Sequence, residues 1–391
     1  MNEVTFAIMS WNWLSANYYE VPVWIWILAV LALVMWFIQL FYWVAYYFPL
    51  VSKRSEERAI KQLGVSVIVC ARNEEKNLMM NIPKIMEQDY PNFELIVVND
   101  SSYDDTADIL KALSINYPNM HVIHIDEDKQ NMQGKKFALT LGIKAAKHDI
   151  VLLTDADCYP RTNQWISEIA SAYKNDSKVV LGYSPFVKYK GWFNKLVRLD
   201  NTMVAMTYLG LAKSGKPYMG VGRNLSYYTE LFFKVGGFKS NYSILSGDDD
   251  LLINQIATKQ NCTVAFSKDA QTISEPKRNF KEWKIQKRRH FTTSPMYKSA
   301  DKRRLMLLPV SWFLMNALSL IIVILQPLMY PIFILIVLRW IWITSGTYRF
   351  LKHSQQPVDI AFLAPIIELQ MQVLHVWFYF SNLIRKPQKW N

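Results

Sequence analysis

The sequence predicts an α/β domain built on a mostly parallel sheet and flanked by transmembrane α-helices. Three observations lead there. Between about Gly64 and Pro276, short β-branched runs alternate with amphipathic stretches. Those runs are apolar almost throughout, the pattern of a parallel sheet covered on both faces. On either side of this region lie apolar stretches long enough to cross a bilayer as helices.

In chain order, Val21 to Val51 carries no charge, and tryptophans and tyrosines crowd its ends as an interfacial belt does. It reads as a membrane anchor, because no basic region precedes it and no small-residue cleavage site follows it. Residues 1–51 are therefore an N-terminal segment and transmembrane helix. No Lys or Arg precedes this span, whereas Lys53, Arg54, Arg58 and Lys61 follow it. That asymmetry places the N-terminus outside and the middle of the chain in the cytosol.

Residues 52–276 form the expected cytosolic domain. Its strands are read at "VSVIVCA" (65–71), "FELIVVND" (93–100), "MHVIHID" (120–126) and "DIVLLTDAD" (149–157). Helices are read in "NEEKNLMMNIPKIMEQ", "YDDTADILKALSIN" and "KKFALTLGIKAA". Residues 277–304 form a basic segment with eleven Lys/Arg against two acids, Glu282 and Asp301. Each such charge contributes around 1 kcal/mol beside anionic lipid. With Phe280, Trp283, Phe291 and Tyr297 interspersed, the segment reads as an interfacial amphipathic helix.

Residues 305–391 return to the membrane. Gln326-Pro327 and Pro331 divide Leu305–Thr344 into two helices joined by a tight turn. The last stretch, Ile360 to Ile384, contains Pro365, Glu368, Gln370, Gln372 and His375, and either spans or lies at the interface. Arg349 and Lys352 agree with the orientation above; Arg385, Lys386 and Lys389 would face outward if the last segment spanned.

Composition narrows the partners. A net charge of +12 suits an anionic membrane surface, nucleic acid or a polyanionic ligand. The basic residues adjoin a membrane span rather than line an independent domain, so membrane lipids are expected and nucleic acid is not. Cys70, Cys158 and Cys262 form no CxxC, which indicates reduced thiols in a cytosolic compartment and no nucleophile.

Polar residues collect just past the strand ends: Arg72, Asn73 and Glu74; Asn99 and Asp100; Asp155 and Asp157. In open α/β sheets that edge binds ligands. No GxGxxG follows the first strand, which argues against a dinucleotide-binding domain. Asp155 and Asp157 alternate with Ala156 and so point the same way in a strand. Two such charges call for a positive partner: a metal ion, basic side chains or a helix N-terminus. In isolation an acidic pair after a strand is more often a capping turn. "GDDD" (247–250) equally caps the helix that follows, with Asp248 capping and Asp249 free for chemistry. Asp104 and Asp105 read as helix caps only.

"VSVIVCARNEEKNL", "LIVVNDSSYDDT", "GKKFALTLG", "LLTDADC", "GDDDLLIN" and "QKRRH" occur in the order seen in family 2 glycosyltransferases. Residues 64–291, with the flanking spans, resemble the membrane-embedded group that includes cellulose, hyaluronan and chitin-type synthases and ceramide glucosyltransferase. The resemblance implies a GT-A nucleotide-sugar-binding fold, a UDP-sugar donor, Mg²⁺ or Mn²⁺, and inversion at the anomeric carbon. It implies that Asp100 and the Ala71, Arg72, Asn73, Glu74 turn hold the uracil or ribose, with Lys135 near the nucleotide. Asp157 would ligate the metal, with Asp155 supporting metal or nucleotide. Asp249, beside Asp248, matches the general base, and Gln286 and Arg289 match donor-binding positions. "MGVGRNLSYYTELFFKVGGF" (219–238) resembles the acceptor-side segment, through Gly222, Arg223 and Asn224. His290 stands where the family has a Trp that packs against the acceptor, and Thr140 replaces a common Asn.

The chemistry wants these groups. A departing diphosphate is neutralised by a hard cation held by carboxylates and phosphate oxygens, and Arg289 offers a planar fork suited to phosphate. An acid whose pKa is raised by its neighbours can take the acceptor proton. The expectation is a membrane-bound inverting glycosyltransferase. It would move a sugar from a UDP-sugar to a lipid-linked or polysaccharide acceptor at the cytosolic face of the plasma (inner) membrane. Two alternatives stay open: a processive synthase that extrudes its polymer, and a non-catalytic nucleotide-sugar-binding scaffold.

Overall fold

The computed structural model of the protein describes residues 21–52, 63–126, 134–174, 176–244 and 246–384. The basic positions Lys53, Arg54, Arg58, Lys61, Arg385, Lys386 and Lys389 lie outside the described residues.

Helix α1 (Val23–Tyr42) is apolar all round and runs through a π-helical turn, Trp43–Tyr47, into Phe48–Val51. Then come β1 (Val65–Ala71), α2 (Glu75–Met86), β2 (Phe93–Asp100), α3 (Thr106–Asn116), β3 (Met120–Ile125), α4 (Lys135–Ala145) and β4 (Ile150–Asp155). After β4 follow β5 (Cys158–Pro160), α5 (Trp165–Ser171), β6 (Val179–Gly182), α6 (Trp192–Lys213), β7 (Leu225–Tyr228), α7 (Thr229–Lys234), α8 (Asp250–Ile256), β8 (Cys262–Ala265) and β9 (Thr272–Ser274). The chain closes with α9 (Phe280–His290), α10 (Ser299–Leu325), α11 (Ile334–His353) and α12 (Ala364–Ile384).

The main sheet has the order β3-β2-β1-β4-β7-β6-β8, and β5 pairs with β9 in a separate ribbon. β1 to β4 are mutually parallel, while β7 runs antiparallel to β4 and β6. Alternation along the strands feeds two cores. Ile68, Ile96, Val98, Val151 and Leu153 face α4, α6 and α8, while Val65, Val67, Val69, Leu95 and Leu152 face α2, α3 and α5. Each such fully buried side chain contributes about 1.5–3 kcal/mol. The α/β domain with a mostly parallel sheet is as expected.

β1 and β2 match the predicted runs residue for residue. β4 does not. It ends at Asp155, and Ala156-Asp157 form a turn before β5. The pairing explains this: Cys70–Asp155 is the last pair of β1 with β4, and from Cys158 the chain pairs with β9 instead. The shared direction of Asp155 and Asp157 therefore does not come from strand alternation.

Among the described residues, four helical segments are long and apolar enough to cross a membrane: Val23–Val51, Ser299–Leu325, Pro327–His353 and Val358–Ile384. They indicate membrane association, and their outward faces expose Ile27, Val30, Phe37, Ile324, Val337 and Val373. They pack closely: a Cβ on Gly346 would come within 1.7 Å of the Trp43 ring. A buried polar tie joins all four. Arg339 makes two 2.6 Å hydrogen bonds to Glu368 and one of 2.9 Å to Gln39, which donates in turn to Ser311 and the Leu308 carbonyl. The basic segment is less exposed than expected, because Trp283 and Tyr297 are buried while Phe280 and Ile285 stay outside.

Candidate active site

Register brings the three predicted clusters to one edge. Asn99 is level with Ala71, and Asp155 with Cys70, so the turns after β1, β2 and β4 adjoin. The first two interlock. Asn73, in the left-handed region at φ 56°, accepts from the Tyr103 N–H, and its own N–H donates to Ser102. Asp104 caps both α3 and α2 by accepting from the N–H groups of Thr106 and Glu75.

A hollow of about 330 Å³ opens beside this edge. It is walled by the end of β4, the start of α4, the 218–223 turn, the acids 248–250 and α9. Of the predicted residues it brings together Lys135, Asp155, Gly222, Arg223, Asp248, Asp249, Gln286, Arg289 and His290. Ala71, Arg72, Asn73, Glu74, Asp100, Asp157 and Asn224 do not line it. Asp100 is buried at 1% exposure. Asn224 corrects the acceptor-side expectation. Its side chain donates to the carbonyls of Tyr183 and Ala270 and accepts from Trp165, so it braces the fold.

The three consecutive acids each hold a different wall. Asp248 pairs with Lys135 at 3.0 Å, and the same ammonium reaches Asp155 at 2.8 Å. Asp249 accepts from the N–H groups of Gly222 (2.8 Å) and Asp250 (2.7 Å). The helix cap is thus Asp249, not Asp248. Asp250 accepts from Thr293 and Tyr297.

Electrostatics separates the acids. Burial, with the charges of Asp248 and Asp250, pushes the Asp249 carboxyl up to about 7. Asp248 is also buried, yet Lys135 holds it below its ordinary value. On α9, the surrounding protein and the charges of Arg289, Lys287 and Arg223 push the His290 imidazole below its ordinary value, although the residue keeps an exposed face, which favours the neutral form. Among the described residues nothing hydrogen-bonds the buried Nε of Arg289. Asp155, Asp157 and Cys158 offer donor atoms all within 4.8 Å of one another. Burial and the Asp155 charge push the Asp157 carboxyl up, and burial pushes the Cys158 thiol up further, which keeps it protonated. Two carboxylates without a thiolate are a hard, oxygen-only donor set, which fits Mg²⁺ or Mn²⁺.

The sequence reading missed Asp200 and Asn201 on α6. Asp200 forms a 2.5 Å ion pair with Lys287, and Asn201 accepts from Arg223, whose guanidinium stacks on Phe186 at 4.5 Å. No local signal marks them, since the same helix also buries Asn194, Arg198 and Thr202.

Residues 66–239 match the family described as Glycosyl transferase family 2. The poly-beta-1,6-N-acetyl-D-glucosamine synthase of Staphylococcus epidermidis is 25% identical over 204 residues, 49% of this chain and 47% of that protein. Glycosyltransferase AglE of Haloferax volcanii is 30% identical over 120 residues, 30% of this chain and 38% of that protein. The match therefore spans about half or less of these relatives' length. The structure of mannosyltransferase PcManGT from Pyrobaculum calidifontis, in complex with GDP-Man and Mn²⁺, superposes with a TM-score of 0.56. It is 20% identical and the superposition covers 84% of this chain and 97% of that one, a likeness of fold.

Proposed function

We propose that this chain, a family 2 glycosyltransferase by residues 66–239, moves a sugar with inversion from a UDP-sugar to a lipid-linked or polysaccharide acceptor. The reaction takes place at the cytosolic face of the plasma (inner) membrane. One observation carries the reading. A carboxyl raised to about 7, Asp249, shares a hollow with Asp155, Lys135 and Arg289, groups suited to a diphosphate.

Asp249 takes the proton of the acceptor hydroxyl as that hydroxyl attacks the face opposite the leaving diphosphate; a base so placed contributes about 10²–10⁴-fold. Arg289 and Gln286 hold the diphosphate and sugar from α9. Lys135 offsets the charge of Asp155 and Asp248. Neutral His290, with Gly222 and Arg223, orients the acceptor. The turn from Ala71 to Glu74, backed by buried Asp100, receives the nucleoside. A divalent cation, Mg²⁺ or Mn²⁺, held by Asp157 and Asp155, would supply charge neutralisation of the leaving diphosphate.

A second cavity supports a second reading. It measures about 220 Å³, lies among the membrane helices and shares Asp200, Val204, Tyr218 and His375 with the catalytic hollow. Its polar hub and tryptophans favour a synthase that passes its polymer into the bundle. One experiment tests both. Membranes are incubated with a panel of UDP-sugars, plus GDP-mannose, with Mg²⁺ or Mn²⁺, and the lipid and polymer fractions are mass-analysed. A single added sugar on lipid supports the first reading and a polymer ladder the second. Full activity in Asp249→Asn overturns the base assignment.

A further inference from the structure

Among the described residues, the Asp249 carboxylate is held by backbone N–H groups alone. It accepts the N–H groups of Gly222 and Asp250, so its aim follows the first turn of α8. That helix is seven residues long, too short to hold itself in place without tertiary contacts. What pins it is a polar network between its first two turns and residues 293–301, of which Asp250 and Tyr297 also line the hollow. Asp250 Oδ2 lies 2.5 Å from Thr293 Oγ1 and 2.6 Å from the Tyr297 hydroxyl. One turn on, Asn254 accepts from the N–H of Lys298 and donates to Asp301, at 2.9 and 3.0 Å. Positions 250 and 254 share a helix face, and residues 293–301 lead directly into the membrane helix α10. Asp250, Thr293, Tyr297, Asn254 and Asp301 are all more than nine-tenths buried.

We infer that Asp250 is a positioning residue: it anchors the first turn of α8 to the head of α10 and thereby fixes the Asp249 carboxylate for proton transfer. The membrane bundle then helps to set the geometry of the base. This rests on the reading of Asp249 as the base. Asp250 also faces Asp249 as a like charge, together with Asp248 from the same segment. The opposing cations are Lys135 and Lys136 from α4, Arg223 from the 218–223 turn and Arg289 from α9.

The test uses the full chain in detergent or nanodiscs and a UDP-sugar that the wild type turns over. Asp250→Leu is similar in size but cannot accept a hydrogen bond. Thr293→Val with Tyr297→Phe deletes both donors without touching α8, and carries the test if Asp250→Leu does not fold. Each should lower kcat roughly 10- to 100-fold, the scale of a small misplacement, with UDP affinity within about twofold. Each should also speed hydrogen exchange across residues 293–301. Asp250→Asn keeps an accepting oxygen and should retain most of kcat. Its acid limb should move to lower pH, since one like charge facing Asp249 is gone. Unchanged kcat in a folded Asp250→Leu, kcat and UDP affinity falling together, or unchanged exchange at 293–301 would each overturn the assignment. If the wild type turns over no UDP-sugar, the transfer reading fails instead, and the exchange measurement still decides whether the anchor exists.

Discussion

The ammonium of Lys135 lies 3.0 Å from the carboxylate of Asp248 and, through its other side, 2.8 Å from Asp155. One cation, at the first residue of α4, thus joins the end of β4 to the loop that carries the proposed base. Lys135→Met leaves two acids facing each other without a counter-charge. The loss should fall below the roughly 3–5 kcal/mol of a sealed pair, because Lys135 and Asp155 keep partial contact with solvent. The expected outcome is a lower melting temperature in detergent and UDP affinity reduced about tenfold or more, read by calorimetry. Wild-type UDP affinity in the variant would remove Lys135 from the donor site.

The titration of Asp249 sets the pH dependence. A base must be ionised, so kcat should rise with pH through about 7 and level above it. Asp248→Asn removes a like charge and should move that limb down; Lys135→Met removes a cation and should move it up. Stability runs the other way. The folded carboxyl titrates above its unfolded value, so its contribution is complete at acid pH and is lost as pH rises through about 7. A pH–rate profile of both variants checks the signs.

Much of this site was legible because its residues sit where continuous β-branched runs stop. β1 and β2 end where the sequence turns polar, at Ala71 and Asp100. β4 misled because "LTDAD" keeps alternating through a turn, and what stops the strand is the pairing of Cys158–Pro160 with the distant Thr272–Ser274. Asn224 was misread for a related reason. No local pattern says whether a side chain in a glycine turn faces the ligand or, as here, Tyr183, Ala270 and Trp165. Within α6, nothing local marks Arg198 and Asp200 as paired, because their partners Asp359 and Lys287 lie far along the chain.

The acids beside β5 predict a metal requirement. Chelation should abolish turnover of a UDP-sugar, and Mn²⁺ or Mg²⁺ should restore it. Asp157→Asn removes one of the two proposed ligands and should raise the Mn²⁺ concentration needed at least about tenfold. Electron paramagnetic resonance of Mn²⁺ titrated into protein with UDP reads this directly. Equal Mn²⁺ affinity in wild type and Asp157→Asn would move the cation elsewhere.

The Arg339–Glu368 pair is sealed among the proposed spans, each side chain less than a tenth exposed. A charge in that setting is tolerated only when paired. Glu368→Gln strips Arg339 of its counter-ion and should cost about 3–5 kcal/mol, whereas replacing both partners by leucine should be close to neutral. Gln39 then loses one partner but keeps Ser311 and the Leu308 carbonyl. Thermal unfolding in detergent would separate the two cases: the single variant melts well below wild type and the double variant near it. Equal losses would overturn this account and mean that the hydrogen-bonded pair itself, with its tie to Gln39, holds the bundle together.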